Sequence, residues 1–434
     1  MRLYGDALRR LGYWIPKSKS ALVLGLLYEL AIQTIHTCLP RKLYRRNAPP
    51  DRETLLAIEF ANRNSIVSYY NNTPRMLWTH LKGLNVAETR LPSRGLAYAY
   101  GLHPAPVAVL GMVRRGLRYS DVAIEYTKQP NDMLTRGHCY AMRSMAQYSA
   151  GDYASSMKSA ETSIRLLTQA GDPYMIFIAD VHRSFSLWRL GETKRSIECA
   201  LSAFSRAVRL GEDASAGGLL LAMAWSTNGD FQFQQMRACF RVSEEDPLTT
   251  SWSHHAKGLW HLRAGRCSEA VDSLQAAWNI ALRHLVIVPY TVCSSTWLAT
   301  ALRREAETVP NDPRHRSRLL RRARKSLRPA LWLSRFYVSE RAHALREHGL
   351  LLRLEGRTHA AAKQLARSLE VANEQGDRWQ QTLSTLELGR LQAALGDPEA
   401  NRRVEETAAI LSRIEDEISE VVGRGAYDQQ YNET

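Results

Sequence analysis

The chain is poor in the residues and motifs that would announce a catalytic centre. Its six cysteines, at positions 38, 139, 199, 239, 267 and 293, include no CxxC pair. That excludes a zinc ribbon and a thioredoxin-type dithiol, and isolated cysteines among helices read as small packing residues of a reducing compartment. No GxxxxGK[ST], HExxH, EF-hand, GxSxG or GxGxxG stretch occurs, so phosphate-cradling, zinc-protease, calcium-binding, serine-hydrolase and dinucleotide chemistries lack their motifs. Histidines are paired conspicuously only at His254-His255, and neighbouring helical side chains point about 100° apart, too far round to share one metal. Glu244-Glu245 reads as loop or surface charge. We expect no metal, no cofactor and no enzyme activity. Glycine and proline are scarce, 25 and 16 residues, and fall at intervals, which suits punctuated helices.

At 434 residues and 45% apolar content, the chain exceeds one ordinary core, so it is several domains or one extended array. The net charge of +15 is uneven. Residues 1–128 hold 19 Lys/Arg against 8 Asp/Glu, and residues 370–434 hold 6 against 14. Such polarity draws acidic partners towards the N-terminal half. The cysteine pattern and the absence of a signal-type cleavage site predict a cytoplasmic protein.

Residues 1–52 differ from the rest of the chain and read as a basic, leucine-rich helical segment with a linker at Asn47–Asp51. Its apolar run, Ala21–Leu39, barely reaches the length of about 20 residues that crosses a bilayer. Glu29, Gln33, His36 and Thr37 share one helical face of it. A helix lying on a surface is therefore expected, packed on the first repeat. A peripheral contact of residues 17–46 with the inner face of the membrane is the alternative, since Lys17, Lys19 and Arg41–Arg46 would suit anionic headgroups.

From residue 53 the chain reads as helix pairs. Thr73 is expected to cap a helix with Pro74 at its first position. Turn glycines recur at Gly116, Gly151, Gly191, Gly229, Gly265, Gly356 and Gly396, spaced 35, 40, 38, 36, 91 and 40 residues apart. The 91 is two units, with the extra loop at Thr308–Asp312. Seven residues before six of these turns stand Ser144, Ser184, Ala222, Gly258, Gly349 and Gly389. Nine after come Ala160, Ala200, Ala238, Leu274 and Leu365, and thirteen after, Ile164, Phe204, Val242, Trp278 and Leu369. Small residues let two helices cross closely while the larger ones fill the seam beside them. The Gly396 unit breaks step with Glu405. Gly171, Gly211 and Gly376 are expected to end second helices. Val404, Ala408, Leu411, Ile418 and Val422 mark a closing amphipathic helix, and 423–434 reads as a tail.

These units, most clearly Ser253–Leu282 and Glu347–Leu369, resemble the tetratricopeptide superfamily of helix–turn–helix repeats, whose nominal period is about 34. The longer period resembles the divergent arrays of large bacterial signalling ATPases and regulators. The resemblance implies an all-α, right-handed solenoid of about nine helix pairs over residues 53–422. It implies a non-catalytic interaction scaffold in bacterial signalling or transcriptional regulation, whose partner is a protein or peptide, an ATPase among the candidates. It also implies a concave groove lined by first helices. Carried over unit by unit, the lining comprises His138, Met145 and Tyr148; Ile178, Phe185 and Trp188; Trp252, His255 and Leu259; and His343, Arg346 and Arg353. Packing against neighbouring helices is the plainer role for several of them.

One further stretch carries charge. Arg314–Arg328 holds Arg314, Arg318, Arg321, Arg322, Arg324, Lys325 and Arg328 opposite an apolar stripe of Leu319, Leu320, Ala323 and Leu327. A solvated helix face is its plain reading. The functional alternatives are an acidic protein partner for this stretch, or a membrane-surface or nucleic-acid-associated regulator acting through residues 1–46 and 314–328. Nucleic acid is the lesser of these, because no aromatic residues interleave the cations.

Overall fold

A computed structural model describes residues 2–128, 131–231 and 246–430, and these contain helices and turns but no strand. Two helices, α1 (Arg2–Arg10) and α2 (Lys19–Cys38), precede the array. Then α3 (Arg52–Asn71) pairs with α4 (Thr73–Glu88). Next, α5 (Arg94–Leu102) pairs with α7 (Val113–Tyr126), with the short α6 (Pro104–Ala108) between them. The pairs α8 (Met133–Ser149) with α9 (Tyr153–Ala170) and α10 (Pro173–Arg189) with α11 (Thr193–Arg209) follow. Helix α12 (Asp213–Ser226) packs on α11 and on α13 (Pro247–Arg263), which pairs with α14 (Cys267–His284), and α15 (Pro289–Thr308) pairs with α16 (Pro313–Leu333). Last come α17 (Arg341–Leu354) with α18 (Thr358–Gln375) and α19 (Arg378–Ala394) with α20 (Pro398–Gln430). Ala238, Val242 and Glu244-Glu245 lie outside the described residues.

The hairpin rule read from sequence has a direct physical basis. Gly151, Gly191, Gly229, Gly265, Gly356 and Gly396 all take left-handed φ, between 72° and 91°, where a side chain is strained. Gly-Asp dipeptides divide the labour at several junctions. Gly171 and Gly376 end α9 and α18 in the left-handed region, while Asp172 and Asp377 accept from Met175 N and Gln380 N at 3.1 and 3.0 Å and cap the next helix. Each such cap stabilises its helix by about 0.5–2 kcal/mol.

Close crossing at the small positions is equally concrete. A Cβ on Gly258 would lie 2.5 Å from Leu274 Cγ, and one on Gly349 2.8 Å from Leu365 Cγ. At Gly389 the filler is Val404 Cγ2, 3.0 Å away, one position earlier than in the other units. Where the small residue is serine, the crossing is also hydrogen-bonded: Ser156 Oγ donates to Ser144 O and Ser196 Oγ to Ser184 O, each at 2.8 Å.

Several expectations are corrected. Gly116 is no turn residue; it sits inside α7, where an added Cβ would fall 2.7 Å from Pro104 Cα, and the left-handed turn glycine is Gly111. Asn72, not Thr73, caps α4. Thr73 instead donates through its N–H to Leu285 O at 3.1 Å and accepts from Ile287 N at 3.2 Å, linking α4 to the α14–α15 connection. The last helix passes Val422 and runs to Gln430.

The largest difference concerns the groove. In a simple solenoid each unit touches only its neighbours, but here distant hairpins meet. Trp188 of α10 packs on Trp379 of α19, with ring centroids 6.0 Å apart. Tyr148 of α8 stacks on Tyr290 of α15 at 5.8 Å. Ile197 of α11 clusters with Ile418 and Val421 of α20, and Arg263 of α13 pairs with Glu415 at 3.1 Å. The array coils tightly enough that its middle and C-terminal hairpins close over their own first helices.

Candidate functional site

Most of the residues expected to line an open groove are interior. Tyr148, Phe185, Trp188, Trp252, His255, His343 and Arg346 are all buried. Phe185 lies 4.5 Å from the Trp225 ring and 5.5 Å from those of Tyr148 and Tyr290. His255 receives Trp225 Nε1–H at 3.5 Å and lies 2.9 Å from Ser294 Oγ. His343 lies against the Trp297 ring. Arg346 donates to Gln380 Oε1 at 2.7 Å, and burial lowers its guanidinium to about 10. Only Arg353 of the set keeps partial exposure, and it pairs with Glu387 at 2.9 Å. The cause of this correction is composition. Aromatic side chains converging on the inner faces bury one another.

The open concavity lies nearer the N-terminus, on the first helices of the early hairpins. It encloses about 780 Å³, within the range of ligand-binding clefts, and α3, α5, α8 and the start of α10 line it, with Tyr4 of α1 at one side. Its walls are apolar (Leu55, Ile58, Ile66, Leu134 and Met175) and its polar groups are few. His138 is central to these. Its Nε2–H donates to Asp172 Oδ2 at 2.7 Å, leaving Nδ1 to accept from Tyr98 OH at 3.1 Å, which fixes the tautomer and the ring. The His138 hydrogen bond holds the Asp172 carboxyl below the usual range against the opposing effect of burial, with Met175 N–H assisting. Burial raises the Tyr98 phenol and pushes that of Tyr174 up to about 12. At the rim, Arg63 pairs with Glu59 at 2.9 Å and Arg94 with Asp132 at 2.7 Å.

The cleft wall holds an unmatched group. Asn62 is fully buried on α3, and neither its Oδ1 nor its Nδ2 has a hydrogen-bond partner. It sits where α3 crosses α4, its Oδ1 3.3 Å from where a Cβ on Gly83 would stand. A buried amide left unpaired costs about 1–3 kcal/mol, so its presence in a cleft wall is notable on energetic grounds.

No family model matches the chain, and no curated protein matches it. Among solved structures, a Rap protein complexed with competence and sporulation factor is similar over 82% of this chain and 100% of its own, at 12% identity and a TM-score of 0.48. The human IFIT1 dimer with m7Gppp-AAAA is similar over 93% of this chain and 94% of its own, at 12% identity and TM-score 0.41. A circular tandem repeat protein covers 99% of this chain at 13% identity and TM-score 0.19. These are helical-repeat proteins. At such identities and scores none of them bears on what this chain binds. The chain's own described residues form consecutive, packed antiparallel helix pairs.

Within the helical array, sequence reasoning found His138 and missed Asn62, Tyr98 and Asp172. The first two lie in units before Gly151, where the repeat pattern is too weak to carry inner-face offsets forward. The cationic stretch lies as expected along α16. Arg314, Arg318, Arg321, Arg322, Arg324, Lys325 and Arg328 face solvent above buried Leu319, Leu320, Ala323 and Leu327. Arg324 pairs with Glu355 of the next hairpin. Of the histidine pair, His254 is half-buried and His255 interior. Among the described residues no three His, Cys, Asp or Glu side chains gather in a way that would hold a metal. Of the described cysteines, Cys139 and Cys293 are buried packing residues but Cys38 is exposed.

Proposed function

We propose that this protein is a non-catalytic binding scaffold that takes a short peptide segment of a partner in the cleft formed by α3, α5, α8 and α10. The observation that carries the reading is the Asn62 amide, buried without a partner in the wall of an apolar cleft of about 780 Å³. Turned from the α4 crossing towards the cleft, the carboxamide would offer one acceptor and two donor hydrogens, which match the C=O and N–H of a peptide backbone. The apolar walls supply affinity for side chains, and His138, locked between Tyr98 and Asp172, supplies orientation. A regulatory role in bacterial signalling or transcription, an ATPase or other signalling protein as partner, and a cytoplasmic setting belong to the same proposal, supported by the repeat resemblance alone.

Selection of short peptides from a phage-displayed library against the full chain tests it. Enriched peptides should bind the purified protein and lose about tenfold or more in affinity on Asn62→Leu or His138→Ala, the order expected for one or two lost hydrogen bonds. No enrichment, or enriched peptides that ignore both substitutions, would remove the cleft from consideration.

A further inference from the structure

The N-terminal helix α2 is inside out. Its polar stripe faces the protein: Glu29 pairs with Lys82 at 3.0 Å and accepts from Asn85 Nδ2 at 2.8 Å. Gln33 Nε2 donates to Glu88 Oε2 at 3.2 Å, and His36 Nδ1 lies 2.8 Å from the same oxygen. Gly25 allows the approach, with Trp14 and Trp78 packed where its Cβ would stand. These contacts fix the rotation of α2 on α4. They turn Val23, Leu24, Leu27, Tyr28, Ile35 and Leu39 outward, each between 44% and 67% exposed. Val23, Leu24, Leu27 and Tyr28 recur at three- and four-residue spacing, Ile35 follows two turns after Tyr28 and Leu39 four residues later, so all six share one face of a helix of 20 residues, about 30 Å, and its C-cap. A soluble surface helix does the opposite.

We infer that this stripe is a docking surface for an anionic lipid bilayer, on which α2 lies in the interfacial plane. Charge selects this occupant. Exposed Lys17 stands before the helix and exposed Lys19 opens it, and exposed Lys42 and Arg46 follow it. The one acidic residue within α2, Glu29, is buried and paired. A second copy docked on the same stripe would bring the same cations against these, a repulsion that opposes the pairing. Anionic headgroups meet them favourably while the acyl boundary covers the leucines. Exposed Trp14 beside the stripe and Tyr28 within it have the amphipathic rings suited to headgroup depth. Alone among the described helices, α2 is long and apolar enough to cross a bilayer, but spanning would strip Glu29, Gln33 and His36 from α4. Lying flat keeps every one of those contacts.

Flotation of the full chain with phosphatidylcholine vesicles, with and without phosphatidylglycerol, tests the inference. The protein should float with anionic vesicles and remain behind with neutral ones. Leu24→Asp with Leu27→Asp should reduce binding at least about tenfold, and Lys17→Glu with Lys19→Glu roughly fivefold or more per charge. Both pairs are solvent-facing, so circular dichroism and melting temperature should not move. Failure of the unaltered chain to float would overturn the inference. So would vesicle binding that survives the leucine changes but vanishes with salt, which would point to α16. Sedimentation showing a dimer that Leu24→Asp with Leu27→Asp converts to monomer would overturn it equally, by assigning the stripe to a second copy.

Discussion

Arg189 Nη1 lies 2.9 Å from Asp377 Oδ2, joining residues 188 positions apart in sequence inside the protein. The second nitrogen, Nη2, reaches Glu340 Oε1 at 3.1 Å, and all three side chains are essentially without solvent contact. Burial raises both carboxyls, and Arg189 opposes that rise. Burial alone would lower the guanidinium, but Tyr148, Tyr153 and the two acids hold it charged. The cluster is the polar clasp that closes the coil. Breaking one side leaves buried charge unpaired, so Arg189→Met should destabilise by about 3–5 kcal/mol. Denaturant unfolding of the variant measures this, and a loss near zero would mean the coil does not close on this clasp.

Trp188 is a second fastening of the same closure. It stacks on Trp225 at 5.3 Å, meets Trp379 at 6.0 Å and lies under the Arg189 guanidinium. Read as a groove anchor, Trp188 would be removable without harm to the fold. Buried as it is, Trp188→Ala should cost about 3–5 kcal/mol. Thermal melting decides between the two: an unchanged melting temperature would restore the open groove.

The local rules of this array were legible because local physics imposes them. A tight helix–helix turn needs a left-handed residue, so the glycines at 151, 191, 229, 265, 356 and 396 announce it. A close crossing needs a missing side chain, so Gly258 faces Leu274. Gly116 defeats the same rule because a turn glycine and a crossing glycine look alike in one sequence. Closure of the coil was not legible, since it rests on pairs such as Tyr153 and Gln375, 222 residues apart. For α2, the shared face of Glu29, Gln33 and His36 could be read from spacing. Its inward rotation could not, because Lys82, Asn85 and Glu88 on α4 decide it. The cleft stayed hidden for a related reason: Asn62 becomes informative only once its lack of partners is known.

Acid should loosen the fold in a defined window. Burial lowers His80 and His255 to about 3 and His182 to about 4, and carries His103 and His343 well below their ordinary value. These rings are neutral in the folded protein, whereas in the unfolded chain they take up protons below about pH 6.5. Their lowered folded values therefore favour the fold above that pH, and the advantage is lost as pH falls towards 4. Each contributes a slope of about 1.4 kcal/mol per pH unit in that interval. Asp180, Asp246, Glu340 and Asp377, raised chiefly by burial, act in the opposite sense and offset part of it. Melting temperature should be level above pH 7 and fall steadily below 6.5, less steeply in His182→Gln. A flat profile from pH 7 to 5 would show that these rings are not held neutral.

Asn62 should separate stability from binding in opposite directions. Its amide is buried with both ends unpaired, so in the unliganded protein it is a cost. Replacement by an apolar side chain of similar size removes that cost, and Asn62→Leu should stabilise the free protein by about 1–3 kcal/mol. If the amide exists to meet a peptide backbone, the same variant should lose about tenfold or more in affinity for selected peptides. Asn62→Asp is the control: it puts an unpaired carboxylate in the same place and should destabilise. Unfolding and titration on the same three proteins give both readouts. A variant that is more stable and binds equally well would make Asn62 a packing defect and leave the cleft without its polar anchor, whereas one that is less stable would mean the amide already has a partner in the folded chain.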